Sequence, residues 1–281
     1  MSGFAPEWLR LREGADHRSR DPGLLARLAL YFGARPEIRV VDLGAGLGSN
    51  LRGTYAALPP RQHWVLVDHD PTLLASAAGA IARWADSARP TTSGVEAIKE
   101  GRSLHVELKR HDLAAEPAAW GTDRPDLVTA AALFDLISKG WIDRFVQALS
   151  AARLPLYTVL THDAESDWQP AHSADASMRA AFERHFGRDK GFGPSAGGRA
   201  TSLLAERLAG AGYEVLRAPS PWRLGQDDHA LIVAMAEGWA GAVRETGIVP
   251  EQTIKEWLAA RTADGVTCTV GHEDLLALPA D

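Results

Sequence analysis

The run Val40-Val41-Asp42-Leu43-Gly44-Ala45-Gly46-Leu47-Gly48 sets three glycines at alternate positions behind an apolar stretch. Glycines in such a turn let a ligand approach the backbone and permit conformations that a side chain would block. In an open parallel sheet the turn lies at the carboxyl end of a strand, where ligands bind. A second apolar run, Val65-Leu66-Val67, ends in Asp68, 20 residues after Gly48. An acid so placed accepts two hydrogen bonds from a ribose diol in dinucleotide-binding folds. Proton chemistry has its own candidates. Asp135 follows a fourth apolar run, and His162-Asp163 follow a fifth. His162 can take a proton near neutral pH, with a neighbouring acid raising its basicity; alternatively, both residues cap the segment that follows. Asp135 and Asp163 offer two oxygens to a hard cation, but His162 is a poor ligand for one, so no metal is expected.

A pyrophosphate-binding G-x-G-x-x-G would place its third glycine at 49, where the chain has Ser49. The pattern Asp42-x-Gly44-x-Gly46-x-Gly48 instead resembles the first motif of class I S-adenosylmethionine-dependent methyltransferases. That resemblance implies that Gly44, Ala45 and Gly46 carry the backbone under the methionine part of the cofactor. Asp42 would act near its ammonium, directly or through water, since opposite charges attract. Asp68 would take the ribose hydroxyls. His69 would pack on the adenine face, or stand as an exposed loop histidine. In Arg110-His111-Asp112-Leu113, Asp112 would accept from the adenine amino group and the Leu113 N–H would meet a ring nitrogen. Asp112 alone equally suits the cap of a helix over 114–120. Pro125–Phe134 is similar to the family's fourth strand, which opens on the transferring methyl. Ala130, Ala131 and Ala132 would leave room for cofactor, or simply pack a strand. The resemblance spans about residues 38–236. The acceptor signatures Asn/Asp-Pro-Pro-Tyr/Phe and Pro-Cys are missing from the sequence, so the resemblance does not name the methyl acceptor.

Positioning these residues requires strands that alternate with helices. Strands are expected over 38–43, 63–68, 104–108, 127–132, 156–161, 213–216 and 230–235, with 88–101 as a loop. Asp70-Pro71 opens the helix after the second strand, because Asp70 can cap free N–H groups and Pro71 fits the first helical position. The alternation predicts an α/β fold: a doubly wound, mostly parallel, seven-stranded sheet with helices on both faces and one antiparallel edge strand. The chain 1–281 then reads as one domain with three attachments. Residues 1–35 form an N-terminal helical segment broken at 16–21. Residues 164–198 form an insertion over the active face, read as a lid or as a solvated loop. Its Trp168, Arg188 and Lys190 would bind the acceptor, the two cations suiting an anion. Residues 238–281 form a helical tail whose Trp239, Trp257, Leu275, Leu276 and Leu278 serve either as core or as a homodimer contact.

Composition narrows the classes. With 281 residues, 46% hydrophobic, the chain is long enough to bury a large core. A net charge of -6 leaves no broad cationic excess for nucleic acid. Its one cysteine, Cys268, allows neither an internal disulfide nor a cysteine metal cluster. The opening residues lack the apolar run of a signal peptide and no stretch reaches membrane-spanning length, so a cytoplasmic protein is expected. Three functions fit. The first is methyl transfer from S-adenosylmethionine to a small molecule; there the donor is already activated and positioning alone is worth ~7–11 kcal/mol. The second is nicotinamide-dependent oxidoreduction, against which Ser49 counts. The third is a non-catalytic binding module, against which the acids at 42, 68 and 112 count.

Overall fold

The computed structural model describes residues 5–121 and 124–280; the outermost residues of the N-terminal segment and of the tail lie outside the described residues. Helices α1 (Pro6–Ser19) and α2 (Pro22–Phe32) come first. The Asp21 side chain accepts from the Leu24 N–H and Pro22 opens α2, so the polar break falls after Ser19, at the end of the expected 16–21. The first half of the sheet follows: β1 (Glu37–Leu43), α3 (Ser49–Thr54), β2 (Arg61–Asp68), α4 (Pro71–Trp84), β3 (Ser87–Pro90), β4 (Gly94–Lys99) and β5 (Arg102–Arg110). Asp70 caps α4 by accepting from the Thr72 and Leu73 N–H groups. The second half comprises β6 (Leu127–Ala131), α5 (Lys139–Ala151), β7 (Leu156–Gln169), α6 (Asp175–Phe186), α7 (Ala200–Gly210), β8 (Tyr213–Pro219), β9 (Trp222–Leu224), α8 (His229–Thr246), α9 (Glu251–Arg261) and β10 (Thr267–Pro279).

The sheet order is β3-β4-β5-β2-β1-β6-β7-β10-β8, with β9 paired to β10. The five strands β5-β2-β1-β6-β7 are parallel, and antiparallel pairs extend the sheet at both ends. The pleat sends alternate residues to opposite faces. Val40, Trp64 and Leu66 join one core with α2, α3, α4, α6, α8 and α9; Val41, Val65 and Val67 join the other with α5 and α7. The α/β architecture with helices on both faces is the one the alternation predicts.

Three expectations are corrected. The segment 88–101 is not a loop: its turn formers punctuate the hairpin β3–β4, where a Cβ on Gly94 would collide with the Val106 carbonyl. Residues 230–235 are helical, within α8. Leu231, Ile232, Met235, Ala236, Trp239, Ala240 and Val243 are all buried at helical spacing, a period that a six-residue window is too short to reveal. The end of the tail is a strand. Leu275–Leu278 lie in β10, inserted between β7 and β8 and covered on both faces, so the apolar run is continuous rather than alternating. With β3, β4 and β9 added and β10 replacing 230–235, the described residues form ten strands rather than seven. No described helix is long and apolar enough to cross a membrane.

Candidate active site

Gly44 and Gly46 take φ of 65° and 52°, a region that side chains with a Cβ avoid. A Cβ on Gly44 would stand 3.2 Å from Leu133 Cδ1, and one on Gly46 3.2 Å from Leu9 Cδ1. The turn needs glycine for its conformation and because Leu133 and Leu9 leave little room for a Cβ. The Ala45 N–H donates to the Val67 carbonyl at 3.0 Å, and the Gly46 N–H donates to Asp68 Oδ2 at 2.9 Å. Those two bonds tie the end of β1 to the end of β2.

Asp68 is 6% exposed, and its Oδ1 accepts the Asp70 N–H at 3.0 Å. A carboxylate offers about four acceptor positions, so two remain for a vicinal diol. His69 is exposed, its Nδ1 3.4 Å from Asp68 Oδ1. Asp112 and Leu113 follow β5, the neighbour of β2, and the His111 N–H donates to the Asp68 carbonyl at 3.0 Å. Asp112 Oδ1 accepts the Ala114 N–H at 2.9 Å; residues 114–120 form turns rather than the helix expected of a cap. Leu113 is buried and its carbonyl accepts from Trp141 Nε1. Ala131 ends β6. The expected cofactor residues thus lie at the carboxyl ends of four adjacent strands, β5-β2-β1-β6.

Asp42 sits beneath the turn, fully buried. Its Oδ1 accepts from Asn50 Nδ2 at 2.7 Å, and Asn50 also donates to Thr129 Oγ1 at 3.0 Å. Its Oδ2 is buried without a hydrogen-bond partner. Burial pushes the carboxyl up to about 7, against the lowering effects of the Asn50 hydrogen bond and the Arg20 charge. An orphaned acid under a glycine-rich turn fits a cationic group arriving above it. Helix α1 lies across this region. Glu13 accepts both Nε and Nη2 of Arg52, at 2.6 and 2.8 Å, and His17 Nε2 lies 3.0 Å from Ser49 Oγ.

A second cluster forms just past the end of β6 and midway along β7 and β10, since β7 runs on through His162 to Gln169 instead of ending before it. Asp135 is 5% exposed, with Oδ1 unpartnered. Burial pushes its carboxyl up, opposed by the charges of His162 and Arg12. His162 Nδ1 donates to the Gly271 carbonyl at 3.0 Å. Because a carbonyl only accepts, Nδ1 carries the hydrogen and Nε2 of the neutral ring is left to take a proton. His272 pairs with His162 across β10 and β7, the ring centroids 5.5 Å apart. Burial, with the charges of His162 and Arg12, holds His272 well below the usual histidine range. Trp222 lies 5.0 Å from the His272 ring. Arg12 stacks over Trp222 at 5.0 Å and bonds Asp16 through Nε and Nη2, at 2.9 and 3.2 Å.

Asp163 does not serve His162 as expected. Its Oδ1 accepts the Glu165 N–H at 2.8 Å, and its carboxylate crowds Gly271 so closely that any Cβ there would collide with it. The charge of His162 acts on Asp135. The lid expectation is also corrected. Trp168 is buried, its ring edge-on to Trp239 at 6.0 Å and to Trp257 at 5.4 Å, so it is core. Trp239, Trp257 and the terminal leucines are buried within the single chain, which is the core alternative rather than the dimer contact. Arg188 donates to the Glu245 carbonyl and lies 3.5 Å from its carboxylate. Burial lowers the Lys190 ammonium, against the Glu245 charge. Arg188 thus engages α8 through Glu245. The sequence reading missed Asn50, Trp222 and His272. His272 stands 110 residues from His162 in the chain and meets it only through the β7–β10 register.

No protein-family model and no curated protein matches the sequence. Solved structures do match. The cyclopropane-fatty-acyl-phospholipid synthase-like protein from Lactobacillus casei superposes with a TM-score of 0.51 at 14% identity, over 95% of this chain and 92% of that one. A methyltransferase from Geobacter sulfurreducens, solved with S-adenosyl-L-homocysteine, gives a TM-score of 0.46 at 14% identity, over 98% and 99% of the two chains. These likenesses show the fold alone, a Rossmann-like α/β fold shared with the Lactobacillus casei protein.

Proposed function

We propose that the protein transfers a methyl group from S-adenosylmethionine to a small molecule whose nucleophilic atom arrives protonated. The observation that carries this reading is the Gly46–Asp68 bond, which brings the glycine-rich turn to the acid suited to a ribose diol. Gly44, Ala45 and Gly46 would lie under the methionine part, with Asp42 below its ammonium. Asp68 would accept the ribose hydroxyls, and His69, Asp112 and Leu113 would flank the adenine. When bound, the cofactor supplies a methyl already activated on a sulfonium.

The chain's own contribution is to hold the acceptor in line and to remove its proton. His162 Nε2 is the base, its ring fixed through Nδ1 by the Gly271 carbonyl. Asp135 balances the charge that His162 gains, and its unpartnered Oδ1 lies buried in the same cluster. His272 and Phe186 flank the His162 ring, and Trp222 lies against His272. The engagement of Arg188 with Glu245 favours an uncharged acceptor over the anion expected from the sequence. Calorimetry with S-adenosylhomocysteine and with NAD tests the reading. Binding of the first and not the second is expected; NAD binding without S-adenosylhomocysteine binding would overturn it.

A further inference from the structure

At the opposite, amino end of the sheet a different group of side chains comes together. On β5, Leu104 and Val106 face the core, while His105 and Glu107 project from the other face. The parallel register sets His63 of β2 opposite His105, and Glu107 lies two residues further along the same face. His63 Nε2 is 2.9 Å from Glu107 Oε1, and His105 Nε2 is 3.6 Å from that oxygen. The donor atoms of all three residues lie within 4.8 Å of one another. The imidazoles meet edge to face, with centroids 4.8 Å apart. His63 and His105 also line an open depression of about 800 Å³ bordered by Arg39, Arg61, Arg89 and Glu96.

We propose that His63, His105 and Glu107 form a binding site for one divalent transition-metal ion of the zinc class, bridging β2 and β5. Ligands about 2.0–2.2 Å from a tetrahedral zinc stand about 3.3 Å apart, and the two observed separations bracket that value. The ion takes the place of the hydrogen between His63 Nε2 and Glu107 Oε1, and the imidazoles close from a separation of at most 4.8 Å. Two imidazoles with one carboxylate select zinc, cobalt or nickel over calcium or magnesium, which take oxygen ligands. Water completes the sphere, because His63 and His105 side chains are 28% and 41% exposed. Arg39, opposite His63 on β1, opposes a cation. Glu107 offsets it, as does Glu96, whose Oε1 lies 3.7 Å from His105 Nδ1 while Arg89 holds Oε2. His63 and Asp68 are five residues apart on β2, roughly 16 Å at the strand rise. The ion is therefore a brace for the sheet and not a participant at the turn, and the site stands whether or not the protein transfers methyl groups.

The test is calorimetric titration of tag-free, full-length protein with Zn²⁺, with Co²⁺ absorption as a second probe. One ion per chain is expected, with a rise in melting temperature. His63→Ala and His105→Ala should each weaken Zn²⁺ binding by more than the roughly 10–100-fold that loss of an outer partner causes. Glu107→Gln, which keeps the side chain's shape, should weaken it as well. Asp68→Ala should leave Zn²⁺ affinity unchanged. Absence of binding by the wild-type protein would overturn the proposal. So would wild-type affinity in the His63→Ala/His105→Ala double variant, which would put the ion elsewhere.

Discussion

The backbone N–H of Gly46 donates to the carboxylate of Asp68 across 2.9 Å, although 22 residues separate them in the chain. One side chain therefore fixes the glycine turn and presents its remaining acceptor positions at the mouth of the same cleft. Asp68→Ala removes both roles. Each hydrogen bond to a charged acceptor is worth about 1.5–3 kcal/mol, so S-adenosylhomocysteine affinity should fall at least about tenfold by calorimetry. Unchanged affinity would separate Asp68 from the ribose.

His162→Ala should slow turnover while cofactor affinity stays at the wild-type value, because the ring faces Phe186 and His272 rather than the glycine turn. A general base contributes about 10²–10⁴-fold, so a loss of that order is expected in methyl transfer from labelled cofactor. Equal turnover in both proteins would remove His162 from the chemistry.

Asp42 links binding to pH. Its carboxyl is raised from 3.8 to about 7 by burial. Between those values the folded chain holds a proton that the unfolded chain has released, so stability falls as pH rises through that window. Asp42→Asn cannot ionise. Its melting temperature, compared with wild type, should improve from pH 5 to pH 8, while S-adenosylmethionine binding weakens. A pH-independent difference in melting temperature would contradict the burial argument.

Trp168→Ala should act on stability alone. The ring packs against Trp239 and Trp257, and emptying such a site costs about 3–5 kcal/mol. Denaturant unfolding should show that loss, and Trp168→Phe should recover much of it with cofactor affinity intact. A change in acceptor KM without loss of stability would return Trp168 to the active face.

The turn and its acids were legible because their signals are local. Glycine spacing, an acid at a strand end and an Asp-Pro helix start each fit within a few residues. The strands β1, β2, β5, β6 and β7 announced themselves as short apolar runs for the same reason. What escaped depends on distant pairing. Leu275–Leu278 read alike as helix or strand until β7 and β8 close on both sides. His272 reaches His162 only through that insertion. Trp168 carried the look of a lid residue because nothing near it in sequence reveals Trp239 and Trp257. The His63–His105–Glu107 group depends on the register of two strands separated by α4 and a hairpin.

A crystal structure with S-adenosylhomocysteine tests the central claim most directly. The account predicts the homocysteine part over Gly44–Gly46, with the ribose 2′- and 3′-hydroxyls within hydrogen-bond distance of Asp68. Nucleoside density lodged away from this turn, with Asp68 bonded only to the Gly46 and Asp70 backbone, would contradict it.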